Sequence, residues 1–230
     1  MADREDLSVR SVSVLIAVHD GERFIADALG SVLAQTAPPE EVLVVDDGST
    51  DGTADVVSRF AGVRCLRRAV NEGQASALNW GVASSRGDHL AFLDADDVWM
   101  PDKLARQLGA FDADPTLDVV YGHARQRRTG ALAAGAADEG AVLPAYLPGA
   151  MLIKRAAFDR VGGFDPRFAL GSVVDWYARS LEQGLRQRLL DAVVYERRIH
   201  GDNLGIRRRN DRAEYLRVVK AALDRRRGSG

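Results

Sequence analysis

Cysteine is nearly absent from this chain: Cys65 is the only one among 230 residues. One thiol cannot close an internal disulfide, build a thiolate cage for zinc or form a Cys-x-x-Cys redox pair, so those three classes of protein are excluded. Cys65 itself reads as a packed small hydrophobe. Long apolar runs are missing as well. No stretch approaches the ~18 residues of a membrane span, and the opening MADREDLSVR is too polar and acidic for a secretory leader, which predicts a cytoplasmic chain without a transmembrane segment. Neither sign of charge dominates: 31 basic residues face 33 acidic ones, and a net charge of −2 gives no global field toward nucleic acid. Three chemical signatures are also lacking, namely a glycine-rich phosphate loop at the N-terminus, GxxxxGK[ST] and the GxSxG nucleophile elbow.

The charge balance hides an asymmetry. Between Arg197 and Arg227 stand 11 basic and 4 acidic residues, a local excess of seven that suits an anionic ligand. The same end carries a helical pattern over residues 211–230, with Tyr215, Leu216, Val219, Ala222 and Leu223 on one face and arginines with Lys220 on much of the rest. Such a helix is expected to pack on its own domain, and its composition also allows a peripheral membrane contact.

What the chain does contain is an alternation of apolar runs and amphipathic stretches. VSVLIAV at 12–18 is too uniformly apolar to alternate, as a strand covered on both faces must be. Pairs spaced four apart, Phe24/Ile25, Ala28/Leu29 and Val32/Leu33, predict a helix that Pro38 and Pro39 stop. The pattern then repeats: a strand in EVLVVDD, a helix at about 53–60, a strand in VRCLR, a helix at about 73–84 and a strand in HLAFLD. Beyond Pro101 come a helix to about 112, an apolar LDVVYG, a Gly/Ala-rich loop or irregular hairpin from Arg125 to Pro148, helices at about 155–161 and 175–183, and a strand in DAVVYERRI. This order predicts one α/β domain, a doubly wound and mostly parallel sheet with helices on both faces.

Open sheets of that kind bind ligands beyond the carboxyl ends of their strands. The polar residues that end these strands, His19 and Asp20, Asp46 and Asp47, and the carboxylates after AFLD, are therefore expected around one crevice. The strongest local signal is LDADDVWMPDKL, where Asp94, Asp96 and Asp97 crowd one turn. Close carboxylates repel and raise one another's pKa unless a cation neutralises them, and hard oxygen ligands suit Mg2+ or Mn2+.

Five ordered stretches, VSVLIAVHDGERFIADALGSVLAQT, VVDDGSTDGT, NEGQASALNWG, LDADDVWMPDKL and PGAMLIKRAAFDRVGGFDP, make the chain resemble a family 2 glycosyltransferase of the GT-A fold over residues 12 to about 180. The resemblance implies residues 1–210 as one GT-A domain, with a donor half to about 100 and an acceptor half after it, followed by the helix at 211–230. It implies inverting, metal-dependent transfer of a sugar from a nucleotide-sugar, usually a UDP-sugar, to an acceptor nucleophile.

Position by position, the resemblance places Ala17 and His19 against the donor base, Asp47 on its edge, Asn71 and Gly73 beside the donor and Asp94 on the ribose. Asp96 and Asp97 become metal ligands, His200 in ERRIHGDN a metal or phosphate ligand, and Arg207 a diphosphate contact in a lid spanning 201–210. Asp175 becomes the base that takes the acceptor's proton. Two departures stand out: Leu78 where relatives often carry arginine, and Val174 where they commonly have glutamate. Two rival readings share the crevice, a sugar-nucleotide pyrophosphorylase, whose glycine-rich loop is missing, and a sugar-nucleotide-binding protein without transferase activity.

Overall fold

Seven residues in a row, Val12–Val18, are buried and form strand β1 in the computed structural model, which describes residues 10–129, 140–201, 203 and 212–228. Helix α1 (Ile25–Leu33), strand β2 (Glu41–Asp46), helix α2 (Thr53–Ser58), strand β3 (Val63–Arg67), helix α3 (Gln74–Ser84) and strand β4 (His89–Asp94) follow in the expected alternation. The four strands lie in the order β3-β2-β1-β4, every pairing parallel. Successive side chains of β1 point to opposite faces, so Val12, Val14, Ile16 and Val18 pack with Ile25, Leu29 and Val32 of α1, while Leu15 and Ala17 pack with Ala75, Ala77 and Leu78 of α3. A uniformly apolar strand is thus one that feeds two cores. Each fully buried Val, Leu or Ile contributes about 1.5–3 kcal/mol.

The second half departs from the expected parallel sheet. Strand β5 (Val98–Trp99), helix α4 (Lys103–Ala113), strand β6 (Val119–Arg128), strand β7 (Val142–Ala145), a 3-10 turn (Pro148–Ala150), strand β8 (Leu152–Lys154), helices α5 (Arg155–Val161) and α6 (Ser172–Glu182), strand β9 (Gln187–Ile199) and helix α7 (Arg212–Gly228) complete the described chain. The sheet continues β4-β8-β6-β9-β5 with β7 beside β6, and only β6–β9 is parallel there. Strands β7 and β8 follow one another along the same edge of β6, with Ala145 opposite Gly122 and Leu152 opposite Val120, so both run antiparallel to it. The Arg125–Pro148 stretch resolves at its two ends into a hairpin, since β6 runs on to Arg128 and pairs with β7. The long β6–β9 ladder shifts register around Gly122, where an added Cβ would stand 2.5 Å from Val194 Cγ1.

Cys65 corrects an expectation. It is exposed, because β3 is the outermost strand of the parallel half. Among the described residues no helix is long and apolar enough to cross a membrane. Helix α7 does pack on the domain. Val218 is buried against Gly171, and the buried Glu214 carboxylate accepts hydrogen bonds from the backbone N–H groups of Leu170 and Gly171, placing an anion at the N-terminus of α6.

Candidate active site

Register brings the strand ends together: Val18 pairs with Asp46 and Ala17 with Asp94, so β2 and β4 deliver their carboxylates to the same edge of β1. The two aspartates that end β2 have different tasks. Asp46 is fully buried, accepts a hydrogen bond from Ser49 N–H at 2.8 Å and lies 3.3 Å from Arg67 Nε; it shapes the turn. Asp47 reaches the neighbouring loop, accepting from the N–H groups of Gly73 (2.7 Å) and Glu72 (3.1 Å) and from Arg68 (3.3 Å). Gly48 follows them at φ 74°, and a Cβ there would come within 2.8 Å of Asn71 N. Only glycine lets the 70–73 segment pass this close.

Around that pair lie the other residues expected at the donor. His19 donates from Nδ1 to the Asp47 carbonyl (3.0 Å) and leaves its ring 39% exposed at the rim. Asn71 Oδ1 accepts from Gly73 N–H (2.9 Å), and Gly73, at φ 94°, starts α3. Leu78 is buried in the core beneath α3, away from any polar role. Asp94 accepts from Gln74 Nε2 at 2.6 Å, which ties the end of β4 to the first residue of α3.

The acidic turn is the most charged point of the crevice. One oxygen from each of Asp94, Asp96 and Asp97 falls within 4.8 Å of the others. Burial and the neighbouring Asp96 carboxylate push Asp94 up to about 6, and burial with Asp94 and Asp96 beside it pushes Asp97 well above the ordinary carboxylate range. Strand β9 returns to this turn: Asp97 accepts from Arg198 N–H (2.8 Å), and just past the strand His200 Nε2 lies 3.0 Å from Asp96 Oδ2. Asn203 Nδ2 donates to that same oxygen at 2.8 Å, and the His200 ring stacks on Phe24 with centroids 4.5 Å apart. Three mutually repelling carboxylates with an imidazole alongside form a donor set that fits a hard divalent cation.

This geometry carries a pH dependence. Both shifts are upward, so the folded metal-free chain holds these protons more tightly than the unfolded chain, and the stabilising contribution of Asp94 is lost as pH rises from about 4 through about 6. A bound cation reverses the balance, because it binds the deprotonated oxygens. Mn2+ is therefore expected to raise the melting temperature more at about pH 7 than at about pH 5. A thermal-shift titration showing equal gains at both pH values would sink this expectation.

Asp175, the expected base, is placed otherwise. Helix α6 begins three residues before it, so it lies within the first turn, 1% exposed, with Oδ2 accepting from Arg179 Nε and Oδ1 from an Arg225 guanidinium nitrogen, both at 2.8 Å. Arg225 also donates to Glu182 Oε2 at 2.9 Å, which ties α7 to α6. In this arrangement the carboxylate is a closed ion-pair anion with no oxygen turned to a crevice. Arg207 and the rest of the expected lid, apart from Gly201 and Asn203, lie outside the described residues.

Comparison with known proteins fits the crevice described above. The profile of glycosyl transferase family 2 matches residues 13–162, which includes every strand of the parallel half and the acidic turn. The chain belongs to that family. Among curated relatives, chondroitin synthase of Pasteurella multocida is 30% identical over 95% of this chain and 24% of its own length. A putative teichuronic acid biosynthesis glycosyltransferase, TuaG of Bacillus subtilis, is 39% identical over 42% of this chain and 40% of its own length. The first curated relatives are matched over only about a third of their length. Among solved structures, S. aureus TarS in complex with UDP superposes with a TM-score of 0.71 at 18% identity, covering 92% of this chain and 64% of that one. A mannosyltransferase of Pyrobaculum calidifontis, in complex with GDP-Man and Mn2+, gives 0.70 at 22% identity over 93% and 64%. These likenesses establish the GT-A fold.

Within this glycosyltransferase fold, several partners of the site went unread in the sequence. Arg68 pairs with Asp47 and Glu72 and lies over the Trp80 ring, 5.0 Å from its centroid. Gln74, Asn203 and Phe24 fix Asp94, Asp96 and His200. Asn203 carried a signal, standing in the same HGDN segment as His200; Arg68 and Phe24 carried none, since only folding brings them to strand ends distant in sequence.

Proposed function

We propose that this family 2 chain is an inverting glycosyltransferase that moves a sugar from a nucleotide-sugar, a UDP-sugar by preference, to an acceptor nucleophile by metal-assisted direct displacement in the cytoplasm. The acidic turn carries the reading: burial and neighbouring carboxylates at the end of a core strand raise the pKa values of Asp94 and Asp97, and a divalent cation with a diphosphate would relieve that cost. Asp96 and Asp97 would hold Mn2+ or Mg2+, with His200 as a third ligand or as the group that orients Asp96. The bound ion would supply Lewis-acid stabilisation of the negative charge on the departing diphosphate. Asp94, held by Gln74, takes the ribose. Asp47 receives the imide N–H of uracil in competition with Arg68, and the exposed ring of His19 lies against the base, with Ala17, Asn71 and Gly73 lining the donor. Arg207 would contact the diphosphate, as the family resemblance implies.

On the acceptor side, the ring centroids of Tyr146 and Tyr177 lie 5.2 Å apart, each packed edge-on to the buried Tyr121, at a small apolar cleft that includes Val173 and Trp176. Aromatic faces of this kind suit the apolar face of a sugar ring. A panel of nucleotides with Mn2+ in a thermal-shift assay tests the donor. UDP is expected to raise the melting temperature more than GDP, and equal stabilisation would remove the assignment of uridine.

A second reading is favoured by one observation. The closed ion pairs of Asp175 leave no open carboxylate at the start of α6, as would suit a sugar-nucleotide-binding protein without transferase activity. Metal-dependent release of UDP from a UDP-sugar decides for the transferase.

A further inference from the structure

Apolar residues lie on two opposite sides of α7. One side is spent inside the protein, where Glu214, Val218 and Arg225 share the face that meets α6. The other side is not. Leu216, Val219 and Leu223, spaced i, i+3 and i+7, stand 69%, 56% and 48% exposed. At 100° per residue they fall within a 60° stripe, at least 100° around the helix from Val218 and Arg225. The exposed basic residues Lys220 and Arg227 run along the edge of the stripe, with Asp224 the single acid among the exposed described residues of that face, while Arg217 turns back toward Glu214, 3.9 Å away. Three exposed aliphatic side chains in line on a helix already docked by its other face are more than scattered surface leucines.

We propose that this outward face of α7 is a peripheral docking surface for an anionic lipid bilayer, laid flat so that Leu216, Val219 and Leu223 enter the acyl boundary while Lys220 and Arg227 meet headgroup phosphates. Charge complementarity selects the occupant. A second copy of the chain whose α7 ran parallel to this one about a two-fold axis would bring Lys220 and Arg227 against their own equivalents, and like charges at such a seam oppose association. Anionic headgroups neutralise the same residues, and the long stems of Lys and Arg let their heads reach the headgroup plane while the leucines go deeper. Docking α7 by Glu214 and Arg225 fixes the helix on the domain, so the bilayer would receive an ordered face without paying to fold it. The inference uses no property of the sugar donor and stands apart from the transferase reading.

The test is co-sedimentation of the 230-residue chain, without substrate, with vesicles of phosphatidylcholine alone or mixed with phosphatidylglycerol. Binding is expected only to the mixed vesicles, weakening as salt rises. Lys220→Gln and Arg227→Gln should each lower the partition coefficient about fivefold. The triple variant Leu216→Ser/Val219→Ser/Leu223→Ser should abolish binding while its melting temperature, set by the inward face, stays near that of the parent. Failure to bind mixed vesicles, equal binding to neutral ones, or undiminished binding by the triple variant would each overturn the proposal. A dimer in sedimentation equilibrium that the triple variant disperses, with no vesicle binding by the parent, would assign the stripe to a second copy and overturn it equally.

Discussion

Asp96→Asn is expected to lower metal-dependent release of UDP from a UDP-sugar by about a thousandfold, corresponding to roughly 4 kcal/mol of lost transition-state stabilisation. The substitution keeps the shape of the side chain and an oxygen that can still accept from Asn203 and meet His200, so the fold around the turn should survive. What it removes is one of the negative charges that make the turn a cation site. With two carboxylates left, the mutual repulsion that lifts Asp94 and Asp97 also falls, and the metal-free variant should be as stable as the parent or slightly more so. The measurement is a pair of titrations, UDP release against Mn2+ concentration and melting temperature without metal. Parent-like turnover at every Mn2+ concentration would show that Asp96 is no ligand.

Asp175→Asn should behave in the opposite way, losing stability rather than chemistry. The parent carboxylate is buried between Arg179 and Arg225, and removing its charge leaves two guanidinium groups facing a neutral amide. Breaking a fully buried pair costs about 3–5 kcal/mol; since both arginines reach solvent at one edge, about 2–4 kcal/mol is the scale here. For a chain of this length that corresponds to a fall of about 5–15 °C in melting temperature. Turnover per folded molecule should stay within about tenfold of the parent, whereas loss of a positioned base would cost about 10² to 10⁴ with little change in stability. Comparing the melting curve with the rate corrected for folded fraction separates the two. A stable, inactive Asp175→Asn protein would restore the carboxylate to the role of acceptor-side base.

The contrast between these two aspartates shows how far the sequence could be read. Asp96 and its neighbours were legible because their signal is local: an apolar strand ends, three carboxylates follow within four residues, and the sheet topology says which end of the strand faces ligand. Arg225, which holds Asp175 in an ion pair, stands 50 residues further on in another helix, and no pattern within α6 records that partner. The same division separates Asp46 from Asp47. Both end β2, but one shapes its own turn through Ser49 and the other clamps the loop before α3, a difference decided by which way each side chain leaves the strand.

By itself the sequence determined the parallel half of the sheet, its two apolar faces, the crevice at the strand ends and the family, because period and strand-end chemistry are properties of consecutive residues. Only the tertiary structure decided that the second half is a mixed sheet, since its strands pair with segments far away in the chain and no local pattern records their relative direction. It also decided that Cys65 faces solvent, that His200 and Asn203 close on Asp96, and that α7 spends one apolar side on α6 and leaves the other outside. A sequence pattern says that a side chain has a face; which neighbour covers that face is fixed by packing between segments far apart in the chain.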